Sequence, residues 1–126
     1  MIDFNSSGFF ARLRKVDNDS FGGVINKFLI ENEKIVGSFQ SVRDGVVFTT
    51  KRIIAINIQG LTGKKKDFTS IPYSKITTFS LETAGVFDLD AELEIYMSAV
   101  GKVKFEFTGS TNVEEICKII STYALA

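Results

Sequence analysis

Residues 43–76, RDGVVFTTKRIIAINIQGLTGKKKDFTSIPYSKI, limit more than any other stretch how this chain can fold. They hold three extended segments punctuated by short turns. Residues 45–50 are rich in β-branched and aromatic side chains. In residues 52–58, Ile54, Ile56 and Ile58 alternate with Ile53, Ala55 and Asn57, and residues 65–71 carry Phe68. A side-chain period of two assigns each segment to a strand with one face buried and the other more polar. Thr50-Lys51 has the length of a hairpin turn, and Gly60 and Gly63 supply the freedom a looser turn needs. Such a meander is a folding nucleus without a catalytic signature, so function is expected from a surface.

Upstream, Ser6 or Ser7 can cap a short helix that gathers Phe9, Phe10 and Leu13, with Arg12, Arg14 and Lys15 beside them. Two readings stand for this segment. It is a basic amphipathic helix resting on a membrane, or a terminal arm packing its phenylalanines on the domain or a neighbouring subunit. A second helix is expected to start at the capping cluster Asp17-Asn18-Asp19-Ser20 and to end near Asn32, with Ile25, Phe28 and Leu29 at helical spacing. Gly22 and Gly23 weaken it by about 1 kcal/mol each relative to Ala.

Residues 35–42 return to strand, and 43–45 turn tightly into the meander. Pro72 breaks the sheet at 72–74. Beyond it, Thr77, Phe79, Leu81 and Thr83 share one strand face. Leu93, Ile95 and Met97 then alternate with Glu92, Glu94 and Tyr96, and Val103, Phe105 and Phe107 with Lys102, Lys104 and Glu106. The glutamates and lysines are placed for cross-strand pairing, and exposure of Tyr96 would mark an interface. A last helix, opened by Ser110, Thr111 or Asn112, runs to about Tyr123 with Val113, Ile116, Cys117, Ile120 and Tyr123 on one face. Cys117 reads there as a small buried hydrophobe.

With 126 residues the chain is one domain: an N-terminal helical arm over 1–32, a β-sandwich over 33–108 and a capping helix over 110–124. The fold class is mainly β with α. About seven antiparallel strands curl into two packed sheets or a partial barrel, and one amphipathic helix plugs an open end. Fifteen basic residues balance fifteen acidic ones, so the basic field that nucleic-acid binding needs is missing. There is no histidine, which removes the commonest general base and metal ligand, and one cysteine cannot build a disulfide or a thiolate cluster. No catalytic residue, metal or cofactor is expected. No apolar run approaches the roughly 18 residues of a span. The start MIDFNSSGFF lacks the basic beginning and apolar core of a secretion signal. A cytoplasmic location is therefore expected, and the Asn-x-Ser triplets at Asn5 and Asn18 are chance matches.

Several short motifs recur in an order that resembles one family. They are Arg43-Asp44, Phe48-Thr49, Lys51-Arg52, Gly60-x-x-Gly63-Lys64, Ile71-Pro72-Tyr73, Glu82-Thr83-Ala84-Gly85 and Phe87-Asp88-x-Asp90. Over residues 30–108 the chain resembles the bacterial pleckstrin-homology domain family. The resemblance implies a PH-like barrel, no enzymatic activity, and assembly into a cyclic homo-oligomer, a pentamer being favoured. Its hydrophilic surface would lie where strands of adjacent subunits meet. Physics makes a ring plausible, because open sheet edges must be covered or paired, and a head-to-tail contact closes when its rotation permits.

Arg43, Asp44 and Arg52, with Asp88 and Asp90, are the candidate polar surface for a protein partner, and Tyr73 is a candidate aromatic contact. The alternative for the charges is intramolecular ion pairs and turn caps; for Tyr73 it is packing. Lys64, Lys65 and Lys66 are candidate lipid contacts, though about 1 kcal/mol each near an anionic bilayer is too little alone, and a solvated turn competes with that reading. Gly60-Leu-Thr-Gly63-Lys64 lacks phosphate-loop spacing. Asp88-x-Asp90-x-Glu92 lacks the glycine and glutamate of a calcium loop. The leading expectation is a non-enzymatic interaction module that assembles with itself and binds an unknown protein. A peripheral membrane-binding domain comes second, and a carrier holding a small ligand in the sandwich mouth comes third.

Overall fold

The computed structural model describes residues 1–5, 10–86, 90–109 and 111–126, and these contain eight strands in two antiparallel sheets. The first sheet runs β1 (Arg14–Val16), β2 (Ile35–Gln40), β3 (Gly45–Thr49), β4 (Arg52–Gln59) and β5 (Lys65–Pro72), in that spatial order. The second runs β6 (Thr78–Glu82), β7 (Ala91–Met97) and β8 (Gly101–Phe107). Within each sheet every strand pairs with its neighbour in sequence, and the chain passes from the first sheet to the second between β5 and β6. Thr50-Lys51 joins β3 to β4 with Phe48 opposite Ile53. Gly60 and Gly63 take φ of 75° and 68° in the β4–β5 turn, where only glycine enters without steric cost. Pro72 ends β5, an edge strand, so its missing N–H interrupts no ladder.

Between the sheets lies one apolar cluster. Phe39, Phe48 and Ile53 meet Leu93, Ile95, Phe105 and Phe107, with Ile116 and Ile120 of the C-terminal helix closing one end. That closing helix, α2 (Val113–Ala124), is capped by Asn112, whose side-chain oxygen accepts from the amides of Glu114 (3.1 Å) and Glu115 (3.3 Å). Phe39 packs edge-on against Phe48 and Phe107, with ring centres 5.7 and 5.0 Å away. Each such side chain contributes about 1.5–3 kcal/mol on leaving water. Cys117 is only half-buried, a correction to its expected place in the core. The buried arc of α2 is centred on Ile116, Ile119 and Ile120, which leaves position 117 at its border.

The expectation of one polar sheet face fails for β3 and β4. All five residues of β3 are buried, as are Ile53, Ile54, Ala55 and Ile56 in succession. Ile53 and Ala55 face the inner cluster, while Val47, Ile54 and Ile56 join Phe21 and Ile25 in a second cluster on the far side. Its cover is not the single helix expected up to Asn32. It consists of a 3-10 turn (Asn18–Ser20), the short α1 (Gly22–Ile25) and another 3-10 turn (Asn26–Phe28). Gly22 and Gly23 disfavour a longer helix. Asp17 does cap the first turn, accepting from the Asp19 amide at 3.1 Å. The Phe21 ring lies so close on Gly45 that a Cβ there would fall inside it.

The helical arm over 1–32 is corrected in a second respect, because residues 14–16 form β1. Arg14, Lys15 and Val16 pair with Gln40, Phe39 and Ser38. The helix expected after Ser6 or Ser7, with Phe9, falls partly on residues 6–9, outside the described residues. From Phe10 to Leu13 the backbone bonds β8 instead: Phe10 O accepts from Glu106 N (2.9 Å), and Leu13 N donates to Glu106 O (2.8 Å). Phe10 and Leu13 are buried in the core, so the i, i+3 spacing that suggested a helix arises from a bent extended segment. Earlier still, Ile2 N donates to Thr69 Oγ1 (3.1 Å), and Phe4 borders the β7–β8 turn and meets Phe10 at 5.9 Å. The arm therefore crosses from one sheet to the other and stops the gap between them.

Candidate functional site

The charged candidates divide between two regions. At the start of β4, Arg52 grips Glu33 with both arms of its fork, Nε to Oε2 at 2.9 Å and Nη2 to Oε1 at 3.0 Å. Nη2 also donates to Phe28 O (2.9 Å) and Nη1 to Ser70 Oγ (3.1 Å). The Glu33 side chain is wholly buried and accepts further from the Thr49 hydroxyl (2.6 Å) and the Ile30 amide (3.1 Å). Burial pushes its carboxyl pKa up, but hydrogen bonds from Arg52, Thr49 and Ile30, with the charge of Arg52, outweigh that and hold it below the ordinary value. Tyr73 is buried too. Its hydroxyl donates to Thr49 O (2.8 Å), and its ring stacks on Tyr123 at 5.2 Å. Burial first, then the charges of Tyr123 and Glu33, raises its pKa. Both side chains are thus engaged inside the molecule.

At the β2–β3 turn two of the remaining candidates come together at a surface groove of about 460 Å³. Arg43 and Asp44 line it, facing Arg12 and Arg14 from the arm, with Ser41 and Ile58 between them. Arg43 Nη2 donates to Gly60 O (2.6 Å), tying this turn to the β4–β5 turn. Asp44 Oδ1 accepts from Ile58 N (3.0 Å) and Asn57 Nδ2 (3.2 Å), so its carboxylate is held by the sheet. Asp90 forms an ion pair with Arg12 at 3.7 Å. Arg14 is exposed, and among the described residues its side chain has no ion-pair or hydrogen-bond partner. Asp88 lies outside the described residues.

Lys64 follows the β4–β5 turn, while Lys65 and Lys66 stand on the edge strand β5 opposite Gln59 and Ile58, all three exposed. Lysines on an edge strand discourage another strand from pairing there, a role that needs no lipid. Sequence reasoning set Arg12 and Arg14 beside a candidate membrane-resting helix, not at the β2–β3 turn, and it missed Glu33. Arg12-Leu13-Arg14 does carry a signal, the polar–apolar–polar alternation of a strand, but it was hidden by the helical spacing of Phe10 and Leu13. Glu33, between Asn32 and Lys34, has no local pattern to announce burial.

The fold agrees with that of similar proteins. Residues 5–124 match the family described as bacterial PH domain. The chain is 44% identical over 99 residues to the uncharacterized protein YjqA of Bacillus subtilis (strain 168), covering 77% of this chain and 79% of the relative. It superposes on a solved DUF1696 family protein with a pleckstrin-homology domain from Shewanella loihica PV-4 at a TM-score of 0.80. That match has 36% identity and covers 90% of this chain and 98% of the other. A pleckstrin homology domain from Shewanella amazonensis SB2B gives 0.68, with 42% identity over 88% of this chain and 90% of its own. Since the matched region runs from the arm through both sheets to the end of α2, the whole framework that carries the groove is the family's own, and the chain belongs to the bacterial PH domain family.

Proposed function

We propose that this chain is a non-enzymatic interaction module that assembles with copies of itself into a ring, five being the favoured number, and presents a polar surface to a protein partner. The observation that carries the reading is the bare edge of β6. Sheet edges invite another strand unless they are guarded. β1 is three residues long, β5 carries Lys65, Lys66 and Pro72, and the far end of β8 is paired with residues 10–13. Thr78–Glu82 has none of these guards, and among the described residues no backbone group pairs with its outer side. Tyr96, opposite Thr78 on the outer face, is 51% exposed. A strand edge matched to a different edge of the next copy is a head-to-tail contact, which forms a ring when the rotation closes.

Light scattering during size-exclusion chromatography tests this. The expected mass is a discrete multiple of 14.0 kDa, and Thr78→Lys with Ser80→Lys should lower it without shifting the thermal melt. A monomer in concentrated solution would end the reading.

A peripheral membrane domain is the second reading, favoured by one observation. Val42 and Leu61 are fully exposed at the tips of the two turns that Arg43 ties together, close in sequence to Lys64, Lys65 and Lys66. Sedimentation with anionic vesicles at low salt decides it: a protein left in the supernatant has no such role.

A further inference from the structure

We propose that the arginine groove beside the β2–β3 turn docks an extended acidic peptide from a protein partner. This rests on the reading of the chain as an interaction module and names the chemistry of what it holds. Arg12 and Arg14 stand two residues apart around the buried Leu13, so both side chains leave the arm on the groove side, where Arg43 faces them. The left-handed backbone of Arg12 (φ 54°) sets this turn of the arm, a conformation that side-chain-bearing residues adopt only when their surroundings hold them there. Among the described residues Arg14 has no partner of its own, Arg12 meets Asp90 only at 3.7 Å, and Arg43 uses Nη2 on Gly60 O. Three forks therefore keep donors for a ligand, and a planar guanidinium matches a carboxylate with two parallel hydrogen bonds.

Several features favour a peptide over a bilayer. The groove itself is lined by arginines and no lysine, and Asp44 sits among them with Asp90 at the border. Carboxylates in that position oppose a phosphate-dense surface but suit a peptide whose acidic side chains are interspersed with neutral or basic ones. The chain's zero net charge gives no long-range pull toward an anionic leaflet.

The test uses the full chain and a degenerate octapeptide library. Wild type should enrich aspartate and glutamate at alternate positions. For a peptide so selected, Arg14→Gln should weaken affinity about tenfold, the worth of one charge-assisted hydrogen bond, with Arg12→Gln similar and Arg14→Lys intermediate. Raising the salt concentration should weaken wild-type binding, a readout that needs no substitution. The proposal is overturned if no acidic preference emerges or if both glutamine variants keep it. It is equally overturned if phosphatidylserine vesicles bind in an Arg14-dependent way while the library shows no preference. Light scattering separates this from the reading beneath it. Wild type that assembles yet enriches no acidic peptide removes only the docking site, whereas a monomer removes the module.

Discussion

Replacing Arg52 with methionine tests whether the polar network around Glu33 holds the fold together. The substitution keeps most of the side-chain stem and removes four donated hydrogen bonds, two of them to Glu33. Glu33 is left as a fully buried carboxylate with only the Thr49 hydroxyl and the Ile30 amide. Breaking a buried pair by deleting one partner costs about 3–5 kcal/mol, because the remaining charge is uncompensated. Against a domain stability of about 5–15 kcal/mol that is a large fraction, and it corresponds to a fall of about 10–20 °C in melting temperature for a chain of this size. Urea and thermal melts at neutral pH measure it. The double variant Arg52→Met with Glu33→Leu should recover most of the loss, since an apolar pair can replace a buried ion pair at little cost. A loss below about 1 kcal/mol, the worth of an exposed pair, would refute the account. Weakened partner capture with an unchanged melt would instead return Arg52 to a binding role.

Three further outcomes are expected. Glu33 and Asp67 both titrate below their ordinary values. For Asp67 the chief cause is the hydrogen bond from the terminal ammonium of Met1, then that from Thr69. Their stabilisation is complete above the unfolded values of 4.5 and 3.8 and is lost as pH falls through the lower folded ones. Melting temperature should therefore drop below pH 4.5, less steeply in Glu33→Gln, and a flat profile there would contradict this. Gly45→Ala should cost about 1–3 kcal/mol by displacing the Phe21 ring, and almost nothing more once Phe21 is already alanine, which a double-mutant cycle reads directly. Ser38→Ala should raise stability by about 1 kcal/mol, because its buried hydroxyl finds no partner among the described residues; a destabilised variant in urea would show that the hydroxyl is satisfied after all.

The strand order from residue 35 to 107 was legible because every connection is local and the period-two pattern survives in β6, β7 and β8. The turn at Thr50-Lys51 and the cap at Asn112 follow from residue chemistry within four positions. What was not legible depends on contacts between distant segments. Ile53-Ile54-Ala55-Ile56 is an unbroken apolar run, which could have announced burial on both faces, yet nothing local says that residues 17–28 provide the second cover. Gly45 reads as a turn glycine, and its role beneath Phe21 appears only when residues 24 positions apart meet. The cross-strand charges show the same limit. Glu92 and Glu94 do pair with Lys104 and Lys102, at 3.6 and 4.0 Å, but on the diagonal. The register sets Glu94 opposite Lys104 and Glu92 opposite Glu106. Of the candidate surface, Arg43 and Asp44 were found in sequence, while Arg12 and Arg14 joined them only through the path of the arm.

That path also bears on assembly. The arm bonds β2 with residues 14–16 and β8 with residues 10–13, so it joins the two sheets along one seam; residues 1 and 2 contact Asp67 and Thr69 on β5. Three of the four sheet borders are thereby shortened, paired or partly covered, and β6 keeps a bare one. In a chain with no net charge to repel its copies, an unguarded border has two physical fates: indefinite pairing, or pairing that closes on itself. Closure limits growth without lysines or proline on the strand, which is why the bare border of β6 and a discrete assembly belong to the same proposal. The two fates separate cleanly by mass. A single sharp species favours closure, and a broad distribution growing with concentration would mean that β6 is simply undefended.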